Sequence, residues 1–381
     1  MERIEEIPAA KLTIQERYPD IELKDTIITD DYDADIPKED WPYYYIDPNV
    51  RLPEIAKKYT PNIYTVFFNY GYKSPERMIY PENDGYSEDE ETKYQKFEDY
   101  LVKNKCHLPE ALTKRRKMRF LYANKFNSKA TYKNIISTLD FRREYMPCIL
   151  NDEIKEIVDS GMMYLHGRDK CFRPIIVIQS ERIKSSVKDL ENIKKAFFFV
   201  NQYCFDNMMV PTKIENFVSV NDMSGVTMKK MPVKFVKNVL KDFTKHVKCR
   251  GRQLILLNVT FGIRAVWKLL SPMIDTNTHL RLDVTKDPTH LYLKHMVHPS
   301  QLEERFGGSA PNVEYYWPPI YPSDEFGHDP EHISEVTNNN EVTIDDKIEK
   351  HDKDLEAAGT KVEGPILIDS EKEPEPSKSI Q

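Results

Sequence analysis

Residues 253–284 read Gln253-Leu254-Ile255-Leu256-Leu257-Asn258-Val259-Thr260-Phe261-Gly262-Ile263-Arg264-Ala265-Val266-Trp267-Lys268-Leu269-Leu270-Ser271-Pro272-Met273-Ile274-Asp275-Thr276-Asn277-Thr278-His279-Leu280-Arg281-Leu282-Asp283-Val284. Gln253–Val259 is a near-continuous apolar run, the pattern of a strand buried on both faces. From Gly262 to Ile274 the apolar residues Ile263, Val266, Trp267, Leu270, Met273 and Ile274 recur at i, i+3, i+4, which is the stripe of an amphipathic helix. Arg264, Lys268 and Ser271 lie off that stripe. Leu280–Val284 is again strand-like. Strand, helix, strand is the unit from which parallel sheets are built.

The same alternation continues upstream. Met162–His166 and Arg173–Gln179 are short β-rich runs, and a helix of about 20 residues follows with Ile193, Ala196, Phe197 and Val200 on one face. Asn216–Asn221 reads as a strand and Lys229–Val247 as a lysine-rich helix. Residues 148–323 are therefore expected to be an α/β domain with a mainly parallel sheet. Before it, Glu91–Met146 is helical, giving a small all-helical lobe over 91–147. Phe97, Leu101 and Val102 share a face, and Phe120, Leu121 and Phe126 form a second group. Ser128 is the expected N-cap of a helix carrying Ile135, Ile136 and Leu139, which Pro147 stops.

Residues 1–90 are rich in Tyr, Pro and Asp, as in Trp41-Pro42-Tyr43-Tyr44-Tyr45, with frequent turn signals. Ile63-Tyr64-Thr65-Val66-Phe67-Phe68 is too apolar to be left in water. The region reads either as an extended arm that packs on its own core or a partner, or as a poorly ordered leader. Residues 324–381 are expected to be an acidic disordered tail, with no aromatic residue from Glu331 onward. Residues 331–381 carry a net charge of −8 against −7 for the whole chain, so the first 330 residues are near neutral. The acidic balance thus says little about what the core binds.

With 40% apolar and 31% charged residues the composition is that of a globular protein. Cys106, Cys148, Cys171, Cys204 and Cys249 are widely spaced and form no C-x-x-C, so a reducing compartment fits better than a disulfide framework. Met1–Leu12 lacks the apolar core of a secretory signal. No run approaches the roughly 18 apolar residues of a membrane span. The expectation is a cytoplasmic protein, peripheral at membranes.

Several motifs recur together. Met118-Arg119-Phe120-Leu121-Tyr122-Ala123-Asn124-Lys125-Phe126-Asn127 resembles a helical motif of the CRAL-TRIO family, and Leu139-Asp140-Phe141-Arg142-Arg143-Glu144 its "W-R" helix end. Gly167-Arg168-Asp169-Lys170-Cys171-Phe172-Arg173-Pro174 is similar to its "D-x-x-G-R-P" turn. The stretch Trp267-Lys268-Leu269…Pro272…Asp275…Thr278 and the closing Pro299-Ser300-Gln301-Leu302…Phe306-Gly307-Gly308 follow in the same order and spacing. The resemblance covers residues 92–322. It implies a lipid-binding lobe whose sheet floors an apolar cavity, with the helix around Trp267 as a gate.

On that resemblance, Phe217, Ile263, Val266, Trp267, Leu270, Met273 and Ile274 would line the cavity or gate, and Arg264 and Lys268 would meet membrane phosphates. The family's phosphatidylinositol-binding members use a Thr and a basic residue three positions later, matched by Thr278 and Arg281. An Arg and a Glu that they also use appear here as Asn124 and Lys248. Of two hydroxyls used for choline, Ser219 keeps one and Phe217 replaces the other. The expected ligand is one lipid, either phosphatidylinositol or another phospholipid, a sterol-like molecule or an isoprenoid. The expected function is to bind that lipid and exchange it at membranes. The alternative is a docking protein on the same scaffold, with a protein partner held through residues 1–90.

The basic groups Lys114-Arg115-Arg116-Lys117 with Arg119, and Lys229 through Arg252, read as attractors of an anionic lipid surface or as solvated helix faces. No aromatic platform interleaves them, which argues against nucleic acid. His290, His295 and His298 fit no usual metal spacing. No G-x-S-x-G elbow and no nucleophile–base set is evident, so neither an enzyme nor a cofactor is expected.

Overall fold

The computed structural model describes residues 52–68, 75–108, 112–145, 150–183, 187–228, 231–271, 274 and 276–328. Most of the expected arm, Pro147, Lys229, Lys230, Met273 and the tail from 329 lie outside them, as do the side chains of Lys268 and Leu269.

The described chain opens with short pieces: α1 (Glu54–Lys57), α2 (Ile63–Val66), and the two-residue strands β1 (Phe67–Phe68) and β2 (Glu76–Arg77), which pair antiparallel. The helical lobe then holds α3 (Glu88–Lys103), α4 (Lys114–Ala123) and α5 (Ser128–Tyr145). Helix α3 starts at Glu88 because Ser87 and Glu90 form a reciprocal capping box, with four acids in the first turn. Helix α5 is capped by Asn127, whose Oδ1 accepts from Ala130 N at 2.9 Å, so Ser128 is the first helical residue rather than the cap. Phe97, Leu101, Met118, Leu121, Ile135 and Leu139 form this lobe's core.

After α6 (Asp152–Asp159) come β3 (Met163–Arg168), β4 (Pro174–Gln179), α7 (Val187–Asn207), β5 (Phe217–Asp222), α8 (Val233–His246), β6 (Gly251–Leu257), α9 (Phe261–Leu270), α10 (Thr276–Leu280), β7 (Leu282–Val284) and α11 (Leu291–Met296). The sheet order is β3-β4-β5-β6-β7. The β3–β4 pair is antiparallel and the other three pairs are parallel, as the alternation of strands and helices requires. This is the expected α/β fold with a mainly parallel sheet. Helix α8 begins only at Val233, directly after Pro232, whose missing N–H and fixed φ suit a helix start.

The turn between β3 and β4 is held by a buried ion pair. Arg173 Nε donates to Asp169 Oδ2 at 2.7 Å, Tyr292 OH donates to the same oxygen at 2.9 Å, and the amides of Cys171 and Arg173 bond Asp169 Oδ1. Asp169 and Arg173 are fully buried, so each neutralises the other where water cannot. The closing motif ends in Gly307, left-handed at φ 91°, followed by Gly308, where a Cβ would overlap the Leu302 carbonyl.

Candidate functional site

Register assigns each strand residue to one of two sheet faces. On one face Tyr164, Ile175, Val177, Val218, Val220, Ile255 and Leu257 belong to a single buried cluster. Ala56 and Tyr59 from the N-terminal segment, Tyr292, Leu293 and Met296 from α11, and Leu302, Phe306 and Phe326 close it.

The opposite face carries Met163, Leu165, Ile176, Phe217, Ser219, Leu254, Leu256 and Leu282, and its apolar residues fall into two clusters. One gathers Met163, Leu165, Ile176 and Phe217 under α6 and α7. The other gathers Leu256, Leu282, Met223, Val226 and Val259 with Ile263 of α9. Leu254 touches both and is only half-buried, although β5 and β7 flank its strand. Phe235 and Phe243 on α8, Trp267 on α9, and Ile178 on β4 are half-buried as well. No residue of α8 is fully buried, although Phe235, Val236, Val239, Leu240 and Phe243 turn one apolar side inward and Lys234, Lys237, Lys241 and Lys245 are exposed. The face between the sheet, α8 and α9 thus carries several apolar side chains that are only half-buried.

Helix α9 sets Ile263 and Trp267, two of the expected gate residues, against this face. Ile263, Val266, Leu270 and the following Ile274 are buried, Trp267 is half-buried, and Arg264 is exposed. The helix ends at Leu270, four residues short of the expected end. Two residues that the sequence reading passed over stand out. Phe261, the first residue of α9, is 86% exposed and Met228 55% exposed. Met228 lies against Gly262, so the two form one apolar tip at the start of the gate helix. The available signal was an aromatic residue off the helix stripe, directly after the Asn258–Thr260 turn.

Phe217 is buried on the face toward α8 and α9, with ring contacts to Phe205 at 6.0 Å and Phe243 at 6.2 Å. Ser219 lies beside Leu254 in register, buried, with its Oγ accepting from Asn221 Nδ2 at 3.0 Å. Thr278 and Arg281 do come together, Arg281 Nη2 donating to Thr278 Oγ1 at 3.0 Å. They do not meet Ser219, because Arg281 packs with the N-terminal segment. Its guanidinium is 3.4 Å from the Glu76 carboxylate and 5.5 Å from the Phe68 ring centroid. Leu280 packs between Phe68 and Met78.

The basic groups divide in a way the sequence did not reveal. Arg115, Arg116, Arg119, Arg250 and Arg252 are buried and so are not available to a membrane surface. Glu215, fully buried, takes Arg115 and Arg119 at 2.5 Å each. Burial would raise its pKa, but the positive charges of Arg115, Arg119 and Arg250 hold it below the usual carboxylate value. Burial of Arg252, with Arg173 nearby, lowers its pKa to about 10. Among the described residues no His/Cys/Asp/Glu group could hold a metal ion, and no helix is long and apolar enough to cross a membrane.

A CRAL/TRIO domain family model matches residues 158–308. Those residues are a CRAL/TRIO domain. It takes in the whole five-stranded sheet, α7–α11 and the Gly307-Gly308 turn, while the helical lobe and the β1–β2 segment lie before it. The chain is 28% identical over 214 residues to a CRAL-TRIO domain-containing protein of Schizosaccharomyces pombe, covering 55% of this chain and 20% of that protein. It is 22% identical over 214 residues to the phosphatidylinositol transfer protein PDR17 of Saccharomyces cerevisiae, covering 53% of this chain and 60% of that protein. The chain therefore spans a fifth and three fifths of these two relatives. The solved structure of Sfh5 aligns with a TM-score of 0.45 at 15% identity, covering 56% of this chain and 86% of that one.

Proposed function

We propose that the sheet, α8 and α9 enclose a hollow in which the protein binds one lipid, and that it exchanges that lipid at membrane surfaces. The observation that carries the reading is the half-buried Leu254, flanked by strands on both sides and dividing two apolar clusters. A diacyl lipid has on the order of 30 methylenes, so exposing its tails to water costs about 24 kcal/mol at roughly 0.8 kcal/mol each. A carrier needs an apolar surface that is covered in solution and opened at a bilayer. Helix α9 is built for that exchange: its buried stripe closes the hollow, and its exposed Phe261 with Met228 offers an apolar anchor. The exposed lysines of α8 and Arg264 add attraction to anionic headgroups, by about 1 kcal/mol per cation near the surface.

Phosphatidylinositol is the lipid suggested by PDR17, the relative named for its transfer. Ser219, in register with Leu254, is a polar group on this face. One observation favours the alternative docking reading: Arg281 already has a carboxylate from Glu76 of the same chain, so the Thr278–Arg281 pair is not open to a phosphate as it stands. Native mass spectrometry of the purified protein, followed by organic extraction, tests the carrier reading. It predicts one lipid per chain, exchangeable with vesicles. A chain that copurifies with no lipid and takes none from vesicles would overturn it and leave the docking reading.

A further inference from the structure

Two buried arginines lie where the N-terminal segment meets the starts of β4 and β6. Arg173 directly precedes β4, and Arg252 is the second residue of β6. The β5–β6 register slips at Arg252: Phe217 pairs with Gly251 and Val218 with Gln253, so Arg252 is a bulge residue with no partner opposite it in β5. Arg173 is 1% exposed and Arg252 6%. Cys171 and Tyr292 are neighbours of both guanidiniums. Arg173 Nε donates to Asp169 at 2.7 Å, but neither of its Nη atoms has a partner. Asp169 is fully engaged, since Tyr292 OH and the amides of Cys171 and Arg173 bond it as well. Arg252 Nη2 donates to the Tyr64 carbonyl at 3.3 Å, and its Nη1 has no partner. No carboxylate among the described residues pairs with Arg252. Its other contact is the Phe68 ring, whose centroid is 5.1 Å away. A ring face attracts a cation without neutralising it. The chain between β1 and β2, residues 69–74, contains no acid. Asp169 thus balances Arg173, Glu76 pairs with Arg281, and the Arg252 charge is left over. Burial, followed by the charge of Arg173, lowers the Arg252 pKa to about 10, so the side chain stays protonated at neutral pH. A buried cation with unused donors is costly, and a bound anion relieves that cost.

We propose that Arg173 and Arg252 together bind a small inorganic anion of chloride size beneath the N-terminal segment. A halide suits the site on three counts. It brings one negative charge to one surplus positive charge. It accepts from several N–H donors at once without a fixed direction, and the two guanidiniums offer three unused Nη atoms. It is also small enough for a place where both arginines are shut away from water. The anion would help to seat the N-terminal segment on the sheet, because Arg252 holds the Tyr64 carbonyl and the next residue, Thr65, meets Cys171 Sγ at 3.8 Å. The inference does not depend on the lipid reading, since the site adjoins Tyr292 of α11 rather than α8 or α9.

The test uses bromide, which stands in for chloride and scatters X-rays anomalously. Thermal unfolding of the full chain is followed in sodium bromide against sodium gluconate at equal ionic strength, gluconate being too bulky for a closed site. The unfolding midpoint should rise by about 3 °C for each tenfold increase in bromide above its dissociation constant. Arg252→Met keeps an unbranched side chain beside Phe68 and removes the charge, so the rise should vanish in it. Arg264→Gln, altered at an exposed cation of α9, should keep the rise. Crystals soaked in bromide should show an anomalous peak within hydrogen-bond reach of Arg252 Nη1 and of an Arg173 Nη atom. Ordered water alone at that place overturns the proposal, as does a rise of equal size in Arg252→Met. A peak with no rise in solution means binding at crystal concentration only and overturns it too. Should Arg252→Met fail to fold, the peak and the rise in the unaltered chain, both present or not, decide the matter.

Discussion

The two faces of the sheet are built from the same strands and come out differently. On the face toward α11, Ile175 and Val177 of β4, Val218 and Val220 of β5, and Ile255 and Leu257 of β6 are sunk in one cluster, and the N-terminal segment and the 302–326 stretch seal it. On the face toward α8 and α9, the alternate residues of the same strands include Ser219 and the half-buried Leu254, and the helices above touch the sheet at two separate places. Alternation puts apolar residues on both sides, but the second face leaves the strand residues Ile178 and Leu254 half-buried. A sealed face for stability and a less completely covered one is the division a carrier needs.

The contrast can be broken most forcefully at the solid face. Asp169→Asn leaves Arg173 without its buried counter-charge, and a loss of about 3–5 kcal/mol in urea unfolding is expected. Ile255→Ala, on the same face, should cost about 2–5 kcal/mol, whereas Leu254→Ala, one residue away on the open face, should cost less than about 1.5 kcal/mol. Equal losses for the neighbouring pair would erase the difference between the faces. A smaller effect is expected from pH at the inter-lobe contact. His246 has its folded pKa depressed from 6.5 to about 4, so the unfolded chain binds the extra proton first. Stability from this group is complete above pH 6.5 and declines as pH falls toward 4, by about 1–2 kcal/mol after allowing for its partial exposure. His246→Phe should flatten that limb of a pH–stability curve. The smallest effect on stability belongs to Phe261→Ser, within about 0.5 kcal/mol, yet lipid exchange with vesicles should slow several-fold if the tip anchors the gate.

Much of this was legible in the sequence. The apolar run at 254–257 and the stripe from Ile263 to Leu270 are where the structure has β6 and α9, because period two and period 3.6 are set by local geometry. What could not be read was long-range pairing. Lys114-Arg115-Arg116-Lys117 looks like a surface patch until Glu215, 100 residues away, is seen to bury two arginines of this group and its neighbour. Likewise Arg281 stands at a position matching a headgroup residue, and nothing local announces that Glu76 reaches it first. Phe261 was obscured for the opposite reason: it sits off the helix stripe, and its exposure depends on what does not pack against it. The partial burial of Leu254 also escapes the sequence, since a half-buried leucine and a buried one are the same letter.

The most direct test is the unfolding free energy of Leu254→Trp in lipid-free protein. If the α8–α9 side of the sheet has space, the larger ring is accommodated and stability stays within about 1 kcal/mol of the unaltered chain. A loss of about 3 kcal/mol or more, the penalty of overfilling a packed interior, would mean that the face is solid and the carrier account is wrong.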